Sequence, residues 1–108
     1  MAACRPRFTQ GSGGDVRQTK VFGDWLIALR DRRAAARIAE RIDRLRLGGL
    51  GDARPVGEGA SELRLHYGPG YRIYLKRRGE SLVVLLCGGD KSSQDSDVRD
   101  AKRLARDL

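Results

Sequence analysis

The feature that most constrains the fold of this chain is a segment of alternating residues around a Gly-Pro-Gly turn, at residues 62–76. On both sides of the turn, apolar and polar residues alternate with a period of two, which is the pattern of a β-hairpin. Side chains of a strand point alternately to its two faces. The apolar face is therefore predicted to carry Leu63, Leu65, Tyr67, Tyr71, Ile73 and Leu75, and the polar face Glu62, Arg64, His66, Arg72, Tyr74 and Lys76.

The polar face of this hairpin is unusually basic. With the turn centred on Pro69, His66 is expected opposite Arg72, and Arg64 opposite Tyr74. Antiparallel sheets commonly keep one face in water, and we expect this face to stay open. Its side chains are of the types that a surface handling phosphodiesters needs, because guanidinium groups bind phosphate oxygens in pairs.

Two helices are predicted before the hairpin. Thr19 is a suitable N-cap for the first, which carries apolar residues at helical spacing and ends near Arg30. Asp31 can cap the second, which ends at Gly48-Gly49. The apolar stripe of the second helix is Ala34, Ile38, Ile42 and Leu45. The two helices should form a helical hairpin.

The segments that flank the hairpin complete the prediction. Residues 49–60 are expected to be an irregular loop, and residues 15–18 a short first strand. Ser81 to Cys87 is the most apolar strand and should be central. A third amphipathic helix is predicted from about Ser93 to Leu108. The predicted fold class is α+β, with the helical hairpin packed on a small antiparallel sheet, a C-terminal helix, and all helices on one side.

Composition limits the classes of function. The 108 residues suit one domain, which we place at 15–108, behind a glycine-rich leader at 1–14 that we expect to be disordered. The formal net charge of +8 is spread along the chain, which favours a polyanionic partner. One histidine and two cysteines predict neither a metal site nor a disulfide framework. With no signal peptide and no apolar run of membrane-spanning length, we expect a cytoplasmic protein.

Three spaced motifs, at residues 57–64, 67–74 and 85–94, resemble those of the HigB-like addiction-module killer proteins of the RelE/ParE toxin superfamily. The resemblance extends over residues 15–108. It implies a RelE-like fold and a bacterial type II toxin that inhibits translation as a ribosome-dependent mRNA endonuclease without a cofactor. Its partners would be the ribosome, mRNA and a cognate antitoxin with a helix-turn-helix domain. Two alternatives stay open: a ParE-like poison of DNA gyrase, and a non-catalytic regulator that binds nucleic acid.

The resemblance also implies site residues. Arg64, Arg72 and Lys91 match basic positions that act on the phosphate. The proton carrier is predicted from the residues themselves: it is His66, the only histidine of the chain, with Tyr74 as an alternative. Asp90 and Gln94 are alternatives as proton carriers. RNA supplies its own 2′-hydroxyl nucleophile, so a metal-independent reaction is expected. The predicted RNA-binding residues are Arg33, Arg37, Arg41, Lys76 and Gln94. For the arginine stripe on the second helix, a solvated face is the alternative that the pattern favours.

Overall fold

Helices cover both faces of a mixed β-sheet in the computed structural model, which describes residues 15–49, 53–79 and 82–108. Within these residues, the elements in chain order are β1 (Asp15–Gln18), α1 (Lys20–Ala28), α2 (Arg32–Arg46), β2 (Arg54–Gly57), β3 (Ala60–Leu65), β4 (Tyr71–Arg78), β5 (Leu82–Gly89) and α3 (Gln94–Arg106). A 3₁₀ turn, Lys91–Ser93, precedes α3. The predicted leader at 1–14 lies outside the described residues.

The sheet is mixed, whereas an antiparallel one was predicted. Its strand order is β1-β5-β4-β3-β2, with β1 parallel to β5 and the other neighbours antiparallel. The predicted strand at 15–18 is confirmed as β1. The loop predicted at residues 49–60 is wrong in part, because Arg54–Gly57 pairs with β3 as an edge strand. Pro55 is compatible with that place, since an edge strand leaves one row of N–H groups unpaired.

Both predicted N-caps of the first two helices are confirmed. The Thr19 hydroxyl accepts a hydrogen bond from the Phe22 N–H at 3.1 Å. The Asp31 carboxylate accepts from the N–H groups of Arg33 and Ala34 at 3.0 and 3.1 Å. Each bond satisfies an amide that the first turn of a helix leaves without a partner. Helix α1 ends at Ala28, two residues before the predicted end. Helix α2 ends at Arg46, and the predicted stop is confirmed, because the N–H groups of Gly48 and Gly49 bond the carbonyls of Leu45 and Arg44.

The prediction that all helices lie on one side of the sheet is wrong. Helices α1 and α2 pack on the apolar face of the hairpin, where Phe22, Ile38 and Ile73 are fully buried. Helix α3 packs on the opposite face, where its Ala101 and Ala105 are buried against other core residues of that face. These partners are Ala60, Tyr74, Val84, Leu86 and Cys87. The polar face is therefore open only at one end, beyond the first turn of α3.

The face assignment of the hairpin is confirmed, but its register is not. Arg64 pairs with Arg72, and Glu62 pairs with Tyr74. The pairing is centred on Gly68, one residue earlier than predicted. At the turn, the Gly70 N–H donates a hydrogen bond to the Tyr67 carbonyl at 3.1 Å. That bond closes a four-residue turn in which Gly68 and Pro69 are the central residues. Moving the centre by one residue shifts the pairing by two, which keeps every side chain on its predicted face.

Strand β5 contains the irregularity that lets both helical layers approach closely. Tyr74 pairs with Cys87 and Leu75 pairs with Leu85, so Leu86 is an extra residue in β5. This β-bulge directs Leu86 and Cys87 to the α3 side. The Leu86 carbonyl accepts a hydrogen bond from the Thr19 hydroxyl at 2.6 Å, which ties the start of α1 to the bulge.

Among the described residues, no helix is long and apolar enough to cross a membrane.

A basic groove at the end of the hairpin

A groove of about 400 Å³ lies where the end of the hairpin meets the segment leading into α3. The turn of the hairpin supplies one wall, and the 3₁₀ turn with the first residue of α3 supplies the other. Its lining residues are Arg64, Leu65, His66, Gly70, Tyr71, Arg72, Lys91 and Gln94. Five of the residues predicted for the site, Arg64, His66, Arg72, Lys91 and Gln94, are thus brought together here. None of the described lining residues is acidic.

A buried carboxylate lies behind the groove and holds several of its side chains. Glu62 is 3% exposed and faces α3 from β3. Its Oε1 accepts a hydrogen bond from Arg64 Nε at 3.0 Å. Its Oε2 accepts from the Tyr74 hydroxyl at 3.0 Å and from Gln94 Nε2 at 2.9 Å. Three elements, β3, β4 and α3, therefore meet at one carboxylate.

Arg72 is the most buried cation of the groove. It is 7% exposed, and its Nη1 donates a hydrogen bond to the Gly70 carbonyl at 3.1 Å. Its Nε lies 3.6 Å from Glu62 Oε2, an ion-pair distance, and has no hydrogen-bond partner although it is buried. Gly70 has a φ of +81°, a conformation that side-chain-bearing residues rarely adopt. That glycine therefore allows the turn to present its carbonyl to Arg72.

The electrostatics of the groove follow from this arrangement. Burial raises the pKa of Glu62, but the hydrogen bonds from Arg64, Gln94 and Tyr74 outweigh burial and lower it. Glu62 is therefore ionised at neutral pH and balances one of the two guanidinium charges beside it. Lys91, which is exposed at the rim, adds another positive charge. The groove thus has an excess of positive charge for an anionic ligand.

Tyr74 does not lie on an open surface, as the sequence predicted. Helix α3 covers it completely, and its hydroxyl donates to Glu62. Burial first, and then the hydrogen bond to Glu62, raise the pKa of the Tyr74 hydroxyl well above its ordinary value. Tyr74 consequently remains protonated, and its hydroxyl is bonded to Glu62 behind the groove.

Lys76 also differs from its predicted place. Its Nζ donates a hydrogen bond at 2.9 Å to the Ala105 carbonyl, in the last turn of α3. The helix leaves its last carbonyls without intrahelical partners, so a lysine is well placed to satisfy one. Lys76 therefore lies at the opposite end of α3 from the groove and stabilises the helix.

The predicted RNA-binding arginines of α2 adjoin the groove. Arg37 and Arg41 line a second depression of about 240 Å³, which shares Arg64, Leu65 and His66 with the first. The Arg37 guanidinium lies over the Tyr67 ring, 4.7 Å from its centroid, a cation–π contact. Arg33 lies further along, in a shallow depression with Arg37. Apart from Glu40, which lines both depressions on α2, the charged side chains of these surfaces are basic, and they form one basic strip in which His66 is exposed and central.

Asp90, a predicted alternative as a proton carrier, stabilises a turn. Asp90 accepts hydrogen bonds from the N–H and hydroxyl of Ser92 at 2.8 and 2.6 Å, and these bonds lower its pKa. It therefore caps the 3₁₀ turn that carries Lys91. The neighbouring Gly88 and Gly89 let protein groups from two helices come close to β5. A Cβ at Gly88 would overlap the Trp25 ring, and one at Gly89 would overlap the Asp97 carboxylate.

The residue that sequence reasoning missed is Glu62. It was placed on the polar face but given no role, because an acidic residue in a basic strand looks like ordinary surface charge. A signal was present in the sequence: Glu62, Arg64, Arg72 and Tyr74 all share one face of a single hairpin. A carboxylate among two arginines and a tyrosine becomes a shared acceptor once that face is covered.

The chain thus forms an α+β domain in which helices flank a mixed sheet and a basic groove opens at one sheet end. No protein-family model matches the chain. It is similar to an uncharacterized protein of Haemophilus influenzae, with 50% identity over 93 residues that span 86% of this chain and 94% of the relative. The chain belongs to the same family as that protein.

Proposed function

We propose that the protein is the toxin of a type II toxin-antitoxin system, with a RelE-like fold and an activity of the HigB-like kind. It would cut mRNA on the ribosome and so inhibit translation in the bacterial cytoplasm. The motif resemblance at residues 57–64, 67–74 and 85–94 supports the toxin class. The α+β architecture with a C-terminal helix is compatible with it.

The observation that carries the nuclease proposal is the state of Arg72. Arg72 lines an accessible groove with its Nε edge turned to Glu62, 3.6 Å from Oε2, so its Nη groups are the ones left to meet a ligand. Arg64 and Lys91 line the same groove. Guanidinium groups match phosphate oxygens in geometry and keep their charge. A phosphodiester bound in the groove would accept hydrogen bonds from the Nη groups of Arg72.

The reaction proposed for this groove needs no added nucleophile. The 2′-oxygen of RNA attacks the adjacent phosphorus, the bond to the 5′-oxygen breaks, and a 2′,3′-cyclic phosphate forms. Negative charge accumulates on the non-bridging oxygens during this step. Arg64, Arg72 and Lys91 would stabilise that charge because they are already positioned before the substrate arrives.

Two protons must move during the reaction, one from the 2′-hydroxyl and one to the 5′-oxygen. His66 is exposed between the two depressions and lines both. Imidazole is the side chain that most readily exchanges protons near neutral pH. We assign His66 to one of these transfers. Tyr74 receives no part in the proposal, because it is buried and its proton is held by Glu62.

The proposed RNA partner would bind along the basic strip. Arg33, Arg37 and Arg41 would hold RNA phosphates next to the cut. A helix-turn-helix antitoxin would neutralise the protein in the cell that makes it.

Among the described residues, no group of three or more His, Cys, Asp or Glu side chains is arranged to hold a metal ion.

Expression in bacteria tests the proposal. The 5′ ends of cellular mRNA are mapped by primer extension after induction of the wild-type protein, and DNA breaks are scored in the same cells. New mRNA ends within translated codons, absent when translation initiation is blocked, support the proposal. DNA breaks with intact mRNA would instead support a gyrase poison. Neither kind of damage would support the non-catalytic regulator.

A further inference from the structure

We propose that Glu62 is the positioning residue of the basic groove: its buried carboxylate holds Arg64 and Arg72 by their Nε edges, so that their terminal nitrogens face the phosphate. This inference rests on the proposed function, because the phosphate is that of the RNA. Nothing in the sequence assigned a role to Glu62.

The contacts decide which edge of each arginine is occupied. Glu62 reaches Arg64 at Nε, 3.0 Å from Oε1, and Arg72 at Nε, 3.6 Å from Oε2. A guanidinium carries five N–H donors in a rigid plane. Because the carboxylate meets the edge nearest the backbone, it restrains each plane without competing for the two Nη groups. Arg72 uses one Nη1 hydrogen on the Gly70 carbonyl, and the rest remain for a ligand.

The same contacts exclude Glu62 itself from contact with substrate. Its carboxylate is 3% exposed, and both oxygens already accept hydrogen bonds from protein donors. Tyr74 on β4 and Gln94 on α3 donate hydrogen bonds to the carboxylate, so the two strands and the helix hold it in one position. Glu62 therefore acts through the arginines.

Glu62→Gln is the informative substitution because it preserves size and removes charge. The new amide has one acceptor oxygen and one donor nitrogen, whereas the carboxylate accepts from three donors. An amide oxygen at the place of Oε2 satisfies two donors, Tyr74 and Gln94, so the NH₂ group meets Arg64 Nε, which loses its acceptor. Glu58→Gln is the matched control. Glu58 is 45% exposed at its side chain and pairs with Arg106 at the surface, so this change alters net charge equally.

Arginine side-chain NMR gives a readout that does not depend on RNA cleavage. In ¹H–¹⁵N spectra of the full chain, the Nε–Hε signal of Arg64 is assigned by its loss in Arg64→Lys. We expect Glu62→Gln to shift this signal and to speed its exchange with water at least about tenfold, since a hydrogen-bonded N–H exchanges only when it opens. Glu58→Gln should leave it unchanged. An unchanged signal in Glu62→Gln would overturn the positioning role, whatever the wild type does to RNA.

Cleavage of mRNA on programmed ribosomes gives the second readout. Glu62→Gln should lower kcat on the order of a hundredfold with KM unchanged or lower, because misplacement of a catalytic group affects the transition state. Loss of a negative charge favours RNA binding, so a raised KM with normal kcat contradicts the proposal. If Glu62→Gln does not fold, Arg64→Lys decides: it keeps the charge without an Nε, and a wild-type kcat in that variant overturns the role. A wild-type protein that leaves mRNA intact overturns the proposed function instead.

Discussion

At the scale of single residues, the groove depends on one carboxylate that four side chains share. Glu62 is ionised because three hydrogen-bond donors and a second guanidinium surround it. Removing such a group is costly because the cations and donors that remain are buried without a counter-charge. The charge of Glu62 should therefore be visible in the stability of the whole domain.

The first prediction concerns the pH dependence of that stability. The folded state lowers the pKa of Glu62 below its ordinary value of 4.5. A carboxylate with a lowered pKa contributes stability above its unfolded pKa and loses it as the pH falls through the folded pKa. The free energy of unfolding of the Glu62→Gln variant should be about 3 kcal/mol lower than that of wild type at pH 7. The difference from wild type should shrink below pH 4.5.

Urea denaturation of wild type, Glu62→Gln and Glu58→Gln at neutral and acidic pH measures this. The comparison between variants removes the contribution of Asp97, whose pKa is raised mainly by burial and which titrates in all three proteins. A difference between wild type and Glu62→Gln that stays constant or grows on acidification would contradict the assignment of charge to Glu62.

At the scale of elements, strand β5 joins the two helical layers. Its bulge at Leu86 gives an acceptor to Thr19 at the start of α1. Beyond the bulge, Gly88 faces Trp25 of α1 and Gly89 faces Asp97 of α3. The two glycines let helices pack close to the strand from opposite sides, and this approach places the first turn of α3 beside the hairpin.

The second prediction follows from those glycines. Gly88→Ala and Gly89→Ala should each destabilise the domain by about 1–3 kcal/mol or more, because the new methyl group has no space in a packed core. Gly49→Ala is the control, since its Cβ would make an ordinary contact at 3.5 Å from the Arg44 carbonyl. Thermal unfolding of the three variants measures the effect. Equal stability of Gly89→Ala and wild type would be incompatible with the described approach of α3.

The third prediction concerns the arginines of α2. Arg37→Ala and Arg41→Ala should each weaken binding of RNA and reduce the slope of log affinity against log salt by about one, if each loses one phosphate contact. Arg46→Ala is the control on the same helix, because Arg46 pairs with Asp43 at 2.7 Å and does not line either depression. Titration of ribosome-bound mRNA at several salt concentrations gives the slopes. Equal slopes for all three variants would show that the stripe is a solvated face.

Particular elements show what the sequence could and could not predict. Local signals sufficed for the caps Thr19 and Asp31, the stripe of α2, and the faces of the hairpin, because each depends on neighbouring residues. The covering of Tyr74 by α3 did not follow, because it depends on packing between distant segments. The uniformly apolar strand β5 carried a hint, since such a strand is commonly covered on both faces.

The candidate site, too, was predicted only in part. Arg64, His66, Arg72, Lys91 and Gln94 meet in one groove. The first three share the predicted polar face, whereas Lys91 was assigned to the site only through the resemblance. Lys76 does not reach the groove, because five residues of strand separate it from the turn, and α3 lies over that part of the face. The role of Glu62 was missed because its burial depends on the position of α3, which the sequence did not predict.

At the scale of the whole molecule, positive charge is organised along one surface. The net charge of +8 belongs to the chain as a whole, but the strip from Arg33 on α2 to Lys91 before α3 links two depressions at their shared residues. Such a strip attracts a nucleic-acid backbone and speeds its association. The buried Arg72 at one end of the strip marks where the chemistry is proposed to occur.

The most direct test of the central claim is cleavage of a defined, end-labelled mRNA on programmed ribosomes by purified wild type, Arg72→Ala and Arg78→Ala. Arg78 is the matched control, because it lies exposed on the same strand, about 20 Å along β4 from Arg72. Circular dichroism and thermal unfolding verify that each protein is folded. We expect wild type and Arg78→Ala to cut within codons, and Arg72→Ala to be slower by about a hundredfold or more. A folded Arg72→Ala that cuts at the wild-type rate, or a wild type that leaves the mRNA intact, would contradict the account.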